Sequence, residues 1–239
     1  MADGTGWQAR LRSLMYDVRG SWHRAALGLL SAEGAILDLA CGKGGFLDLL
    51  GPRGVGLDWN PHSLGQVRAK GHLAVRGTVL ALPFASCSFA GVHAADIIEH
   101  FPPEDARLLL AEAVRVLRPG GRLVISTPCF GAHFYDDPTH VRPYPAEALL
   151  GYCTPAAAKG EGTNPTLGDL PAPVRFVTMR TRHSALVGLP RYAMLPEQRT
   201  AATFLRPRML GFMAANVLAR FGIRNPRPAG YLLVMERIG

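Results

Sequence analysis

The sequence predicts an α/β fold: a mostly parallel sheet with helices on both faces. Three observations carry that prediction. Short apolar strands alternate with helical stretches across short connections, the pattern of crossover units wound around a parallel sheet. The first strand, Ile36-Leu37-Asp38-Leu39-Ala40, runs directly into Cys41-Gly42-Lys43-Gly44-Gly45, a turn suited to the carboxyl edge of such a sheet. Between the fourth and fifth strands, Glu104–Leu117 repeats Ala106, Leu109, Leu110, Ala113, Val114 and Leu117 at helical period.

The elements follow in order. Residues 7–30 read as helical, with Leu11, Leu14 and Met15 on one side, then Trp22, Ala26 and Leu29 after a break at Gly20. Phe46–Leu50 opens a helix that Gly51-Pro52 stops, and Val55–Asp58 is the second strand. Pro61–Lys70 is a helix with proline in its first turn, where the missing N–H costs nothing. Leu73–Gly77 and Phe89–Ala94 are the third and fourth strands. Pro119-Gly120-Gly121 breaks the long helix before the fifth strand, Arg122–Thr127. Residues 128–172 are rich in Pro, Gly and Thr and read as loop around one short helix, Pro145–Leu150. Val174–Met179 is a sixth strand, Arg208–Phe221 an amphipathic helix and Tyr231–Met235 a final strand that can insert into the sheet.

Composition bounds the function. The chain has 239 residues with 48% hydrophobic and 18% charged, which excludes a disordered or coiled-coil protein. A chain of this length buries about 70% of its unfolded surface without a staple. The longest uncharged run near the C-terminus, Met209–Ala219, is about half of what a bilayer requires, and no apolar signal core opens the chain. Cys41, Cys87, Cys129 and Cys153 form no CxxC pair, so neither a zinc knuckle nor a redox dithiol is encoded, and a cytoplasmic setting is expected. The net charge of +8 is uneven: residues 1–170 carry −1 and residues 171–239 carry +9. A basic last third can hold an anionic substrate, RNA or an acidic membrane surface. The alternative is base composition, since 23 of the 26 basic residues are arginine.

The glycine turn carries the chemistry. Glycines let the backbone turn sharply and approach a ligand, and the helix that follows adds exposed amides. The phosphate loop GxxxxGK[ST] is absent, and the third position of GxGxxG would be Leu47. Asp58 ends the second strand, twenty residues after Asp38, where a carboxylate can accept both hydroxyls of a ribose. Two acids around one corner repel a pyrophosphate and fit a neutral or cationic nucleoside. A plain tight turn with a strand-end Asp is the other reading.

Ile36–Gly45 resembles the first motif of class I S-adenosylmethionine-dependent methyltransferases, in their small-molecule, type-11-like group. Val55-Gly56-Leu57-Asp58, Ala81-Leu82-Pro83-Phe84, Asp96-Ile97-Ile98-Glu99-His100 and Val116–Gly121 follow in the family's order, so that the resemblance covers about residues 34–128. It implies a Rossmann-like sheet of seven strands with the last antiparallel, and helical or loop cover over the substrate side. It further implies S-adenosylmethionine as cofactor. Asp38, Ala40, Gly42 and Gly44 would line its methionine part, and Asp58 would bind the ribose. Trp59 would lie against the adenine, Val79 and Leu80 at the adenine edge, and the Ala94 backbone would hold the amino-acid end. The sequence departs from the family at Thr78, where an acid is frequent, and at Phe89-Ala90, where Phe-Asp is common.

The expected organisation is one domain over 1–239, with an N-terminal helical lid over 1–30 and substrate-side insertions at 129–172 and 183–229. Methyl transfer aligns a nucleophile with the methyl carbon and, for a hydroxyl or ammonium, removes a proton. His140 is the leading candidate base or substrate contact, with His133 and His100 as further candidates. Asp136–Tyr144 resembles a pocket segment of small-molecule and saccharide methyltransferases. His133, Asp136, Asp137 and His140 could also be read as metal ligands, but their spacing is loose and no metal is expected. The expected partner is a small molecule, a secondary metabolite or saccharide, with a possible homodimer; the apolar stripe of Leu205–Phe221 reads first as a helix packed over the substrate side of the sheet, and otherwise as a substrate lid, a dimer face or a membrane contact. RNA, an anionic membrane surface and a catalytically inactive binding scaffold are the competing readings.

Overall fold

Apolar strands line up side by side. β1 (Ile36–Leu39), β2 (Gly54–Asp58), β3 (Leu73–Arg76), β4 (Phe89–Ala95), β5 (Leu117–Pro128), β6 (Val174–His183) and β7 (Pro228–Arg237) form one sheet in the order β3-β2-β1-β4-β5-β7-β6. The structure is a computed structural model that describes residues 18–30, 33–131, 134–153, 170–183, 207–220 and 228–239. β1 is parallel to β2 and β4, β2 to β3, and β4 to β5, whereas β7 is antiparallel to β5. The chain moves outward from β1 to β3 and then returns to β4, so the direction of winding reverses between β1 and β4. Ligands of open α/β sheets bind in the crevice at such a reversal.

Alternation along the strands divides the core in two. Leu37, Leu39, Val92, Ala94, Leu123, Ile125, Leu233 and Met235 face one layer, with Ala106, Leu109, Leu110 and Ala113 of α4 (Pro103–Val116) and Leu149 of α5 (Ala146–Cys153). Ile36, Val124, Leu232 and Val234 face the other. There they meet Ala26 of α1 (Val18–Leu27), Leu47 and Leu50 of α2 (Leu47–Leu50), and Leu64 and Val67 of α3 (Pro61–Ala69). The period of two along each strand places neighbouring residues on opposite faces. The chain clusters into two units, residues 20–180 with 230–239, and residues 1–19 with 181–229. The second includes α6 (Pro207–Arg220).

Local chemistry sets the helix ends. Asn60 caps α3, its Oδ1 accepting from the N–H groups of His62 (2.9 Å) and Ser63 (3.4 Å). α4 starts at Pro103 with Glu104 and Asp105 in its first turn, where carboxylates suit the helix dipole. At its other end the Arg237 guanidinium donates to the carbonyls of Val114 (3.3 Å), Arg115 (3.1 Å) and Leu117 (2.6 Å), at the helix end that favours a cation.

Several boundaries differ from the sequence expectation. Gly20 lies inside α1 rather than breaking it, and residues 7–17 of that expected helix lie outside the described residues. Leu117 is not the last helical residue but the first of β5: it pairs with Phe89, and the register then jumps to Gly91 with Arg122. The intervening bulge turns on Gly120 at φ 74°, so one strand carries the break within it. α5 runs to Cys153, and β6 and β7 extend beyond the apolar cores that signalled them.

Candidate active site

The corner after β1 is held by Asp58 at the end of β2. Its Oδ2 accepts from the Gly42 N–H at 2.8 Å and its Oδ1 from the Asn60 N–H at 2.9 Å. The Cys41 N–H meanwhile donates to the Leu57 carbonyl at 3.0 Å, extending the ladder two residues past β1. Ala40, Gly42 and Gly44 have φ of 53°, 52° and 77°, a left-handed run that glycine adopts at no cost and alanine does not. A Cβ built on Gly42 would meet nothing within 4 Å, whereas one on Gly44 would come to 3.2 Å from Val67. The space beside Gly42 is therefore open to a ligand, and Gly44 is needed for the approach of α3. β2 passes just beneath: a Cβ on Gly56 would lie 2.7 Å from Cys41 Sγ. Burial, with Asp38 and Asp58 nearby, pushes the Cys41 thiol up to about 12, so it stays protonated at neutral pH and is no nucleophile.

Asp38 has a partner that sequence reading missed. β1 and β4 place Asp38 directly beside His93, and Asp38 Oδ1 lies 2.7 Å from His93 Nδ1 with both residues buried. The Phe46 ring lies 3.8 Å from the His93 ring, centroid to centroid, and the His23 ring 5.7 Å away. The Asp38–His93 pair thus sits under the corner, with the Phe46 and His23 rings against it. The signal was the register of two strands fifty-five residues apart, which no local pattern displays.

Beyond β2, Trp59 is exposed, Val79 buried and Leu80 half-buried. Thr78 Oγ1 accepts from the Leu80 N–H at 3.2 Å, fixing the turn where the family often has an acid. α4 clasps the loop that follows. Arg115 donates to the carbonyls of Phe84 (2.8 Å) and Leu82 (3.1 Å) and to both oxygens of Glu112 (2.7 and 2.8 Å). The Leu82 N–H donates to Glu112 Oε2 at 2.6 Å. Ala94 is fully buried near the end of β4, and two residues on, Asp96 takes φ 49° with a buried Oδ1 that accepts no hydrogen bond among the described residues.

A second polar cluster follows β4. Glu99 and His100 lie in the 3-10 turn Ile98–His100, and the loop after β5 brings His140 to them. His140 Nε2 is 3.9 Å from Glu99 Oε1 and 3.9 Å from Asp137 Oδ2, while its Nδ1 lies 2.7 Å from the Phe134 carbonyl. A carbonyl only accepts, so Nδ1 carries the proton and Nε2 the lone pair. His100 Nδ1 lies 3.1 Å from the Thr139 carbonyl and 3.0 Å from Thr139 Oγ1, and that hydroxyl donates to Asp137 Oδ1 at 2.6 Å. The same tautomer follows for His100. The Thr139 donors hold the Asp137 carboxyl below its usual range. Glu99 is fully buried; its Oε2 accepts from Thr127 Oγ1 at 2.9 Å and its carbonyl from the Val141 N–H at 2.8 Å.

Of the expected site residues, the structure brings Asp38, Ala40, Gly42, Gly44 and Asp58 together at one corner, with Trp59 beside it, and brings His100 and His140 together in the cluster. His133 lies outside the described residues. Tyr144 belongs to the core, with its hydroxyl donating to the Phe101 carbonyl at 2.9 Å and Arg142 5.2 Å above its ring. Glu99 was the omission in the cluster. Its one local signal was a carboxylate beside His100 just past a buried strand.

Comparison with known proteins bears on the same segment. The methyltransferase domain family of type 11 matches residues 37–125. A demethylmenaquinone methyltransferase of Thermus thermophilus is 40% identical over 129 residues, covering 48% of this chain and 57% of the relative. An O-methyltransferase of Aspergillus sclerotiorum is 33% identical over 115 residues, 43% of each chain. The chain spans 65% or less of the length of such curated relatives. A methyltransferase structure from Archaeoglobus fulgidus, described as S-adenosylmethionine dependent, superimposes with a TM-score of 0.58 at 19% identity, covering 96% of this chain and 99% of that one. The likeness there is one of fold.

Proposed function

We propose that the protein is a class I S-adenosylmethionine-dependent methyltransferase that methylates a hydroxyl or amine of a small molecule, a reading supported by the match of residues 37–125 to the type-11 methyltransferase domain family. The observation that supports this most is the corner at the sheet's reversal point, where Asp58 holds Gly42 by its amide while the space beside Gly42 stays open. Each Asp58 oxygen accepts one backbone bond and keeps a lone pair for a ribose hydroxyl. In this reading Asp38, Ala40, Gly42 and Gly44 line the methionine part of the cofactor. Trp59, Val79 and Leu80 flank the adenine, and the Ala94 backbone holds the amino-acid end. The orphaned Asp96 oxygen suits a donor on the same ligand.

When bound, the cofactor supplies an electrophilic methyl carbon. The chain's own task is to hold the acceptor in line with it and to remove the acceptor's proton. The cluster of His140, His100 and Glu99 is assigned that task. It rises from the turn after β4, whose Ala94 pairs with Leu39 at the corner's root, so both features emerge on one edge of the sheet. His140 Nε2 carries the lone pair that takes a proton. The relatives' names support a small-molecule acceptor, and the segment 129–172 is assigned its selection. Four cysteines without a disulfide, and no helix among the described residues long and apolar enough to cross a membrane, support a cytoplasmic setting.

The test is calorimetry with S-adenosylmethionine and S-adenosylhomocysteine, followed by transfer of labelled methyl into a fractionated cell extract. Binding of both and label in a small-molecule fraction are expected. No heat with either ligand refutes the reading.

A further inference from the structure

We propose that Glu99, His100 and His140 bind a divalent first-row metal ion, resting on the methyl-transfer reading only for what the ion does. One ligand atom from each of the three residues lies within 4.8 Å of the others. Two imidazoles and a carboxylate are a ligand set that suits such ions and leaves coordination positions for substrate.

The separations fit a shared ion better than direct bonding. The 3.9 Å between His140 Nε2 and Glu99 Oε1 is too long for a hydrogen bond. It is shorter than about 4.2 Å, the span across an ion with two bonds of about 2.1 Å. Donors on a tetrahedral ion stand about 3.4 Å apart, so the set, whose atoms lie within 4.8 Å of one another, contracts by up to about 1.4 Å through side-chain rotation as the ion binds.

The surroundings are built as ligand support. Both imidazoles place Nδ1 on an oxygen, His140 on the Phe134 carbonyl and His100 on Thr139. Each is thereby fixed in the tautomer that turns an Nε2 lone pair outward, as second-layer contacts do for metal-bound histidines. Thr127 Oγ1 orients the Glu99 carboxylate from behind. What completes the ligand set is Glu99, 41 residues before His140 in the chain.

With the ion present, His140 serves as ligand and the acceptor hydroxyl binds the ion through an oxygen lone pair. The ion lowers that hydroxyl's pKa, and its proton passes to solvent. The oxygen then displaces the sulfonium: its electron pair forms the new O–C bond, and the S–C pair stays on sulfur.

The untagged full chain, stripped by a chelator, is titrated with Co²⁺ and followed by visible absorption and calorimetry. One Co²⁺ per chain in the micromolar range is expected, displaced by Zn²⁺. Glu99→Gln, His100→Ala and His140→Ala should each weaken it by at least about 100-fold, with melting curves recorded beside the titrations. If Glu99→Gln fails to fold, the two histidine variants decide. Only millimolar Co²⁺ binding by the wild type, or binding unchanged in the folded variants, overturns the site. Cofactor binding is measured on the same sample. Loss of cobalt with cofactor binding intact removes the metal alone, and loss of cofactor binding with cobalt intact removes the methyl-transfer reading alone.

Discussion

At Asp58 both carboxylate oxygens accept backbone N–H groups, from Gly42 and Asn60. Asp58→Ala is therefore expected to weaken S-adenosylmethionine and S-adenosylhomocysteine alike, by about 1–3 kcal/mol. Asp58→Asn should be nearly as harmful, because its amide must aim an NH₂ at one backbone donor. Calorimetry on the folded variants checks both. At His140 the expectation differs in kind. His140→Ala should lower turnover by about 10²–10⁴-fold while leaving cofactor affinity nearly unchanged. An amine acceptor would recover part of that loss at high pH; an alcohol would not. A folded variant with unaltered rates across pH would remove His140 from the chemistry.

Among the elements, α4 and the loop it clasps form the contact most open to titration. Hydrogen bonds from Arg115 hold the Glu112 carboxyl below its usual range, against the opposing effect of burial, and the Leu82 N–H adds to them. The folded chain then binds that proton more weakly than the unfolded chain. The stabilisation is complete above the unfolded value of about 4.3 and fades as acidification passes the lower folded value. Glu112→Gln should cost about 1–3 kcal/mol at neutral pH, and its melting temperature should converge with the wild type's in acid. A gap that persists at low pH would refute the assignment. The elements themselves were legible wherever a period ran long enough, as in α4 or the buried run of β4. Ends were harder to read. Gly20 looked like a break because glycine is a poor helix former, yet α1 continues through it. Leu117 looked helical by its spacing, yet its pairing with Phe89 pulls it into β5. The glycine corner could be read locally because φ preferences are local. His93 beside Asp38 and Glu99 beside His140 could not, since tertiary register brings them together.

Across the whole molecule, the basic last third has internal uses. Arg175 pairs with Glu236 at 2.6 Å, Arg122 reaches the same carboxylate at 3.3 Å, and Arg237 closes the end of α4. Two of that third's arginines, Arg175 and Arg237, are thereby engaged within the chain. RNA is accordingly expected to bind weakly and without a defined site, with retention lost by about 150 mM salt. A saturable complex that survives this salt and gains methyl label would show RNA to be the acceptor. The order of the strands has a further consequence, for synthesis. β5 takes its antiparallel neighbour β7 from a stretch that begins a hundred residues after β5 ends, with Arg122 opposite Glu236. A ribosome adding about 5–20 residues per second leaves one side of β5 without its hydrogen-bonding partner for roughly 5–20 s. During that interval the nascent chain presents the Leu123–Ile125 edge to other nascent chains, so its yield in a cell depends on chaperone capture as well as on the stability of the finished sheet.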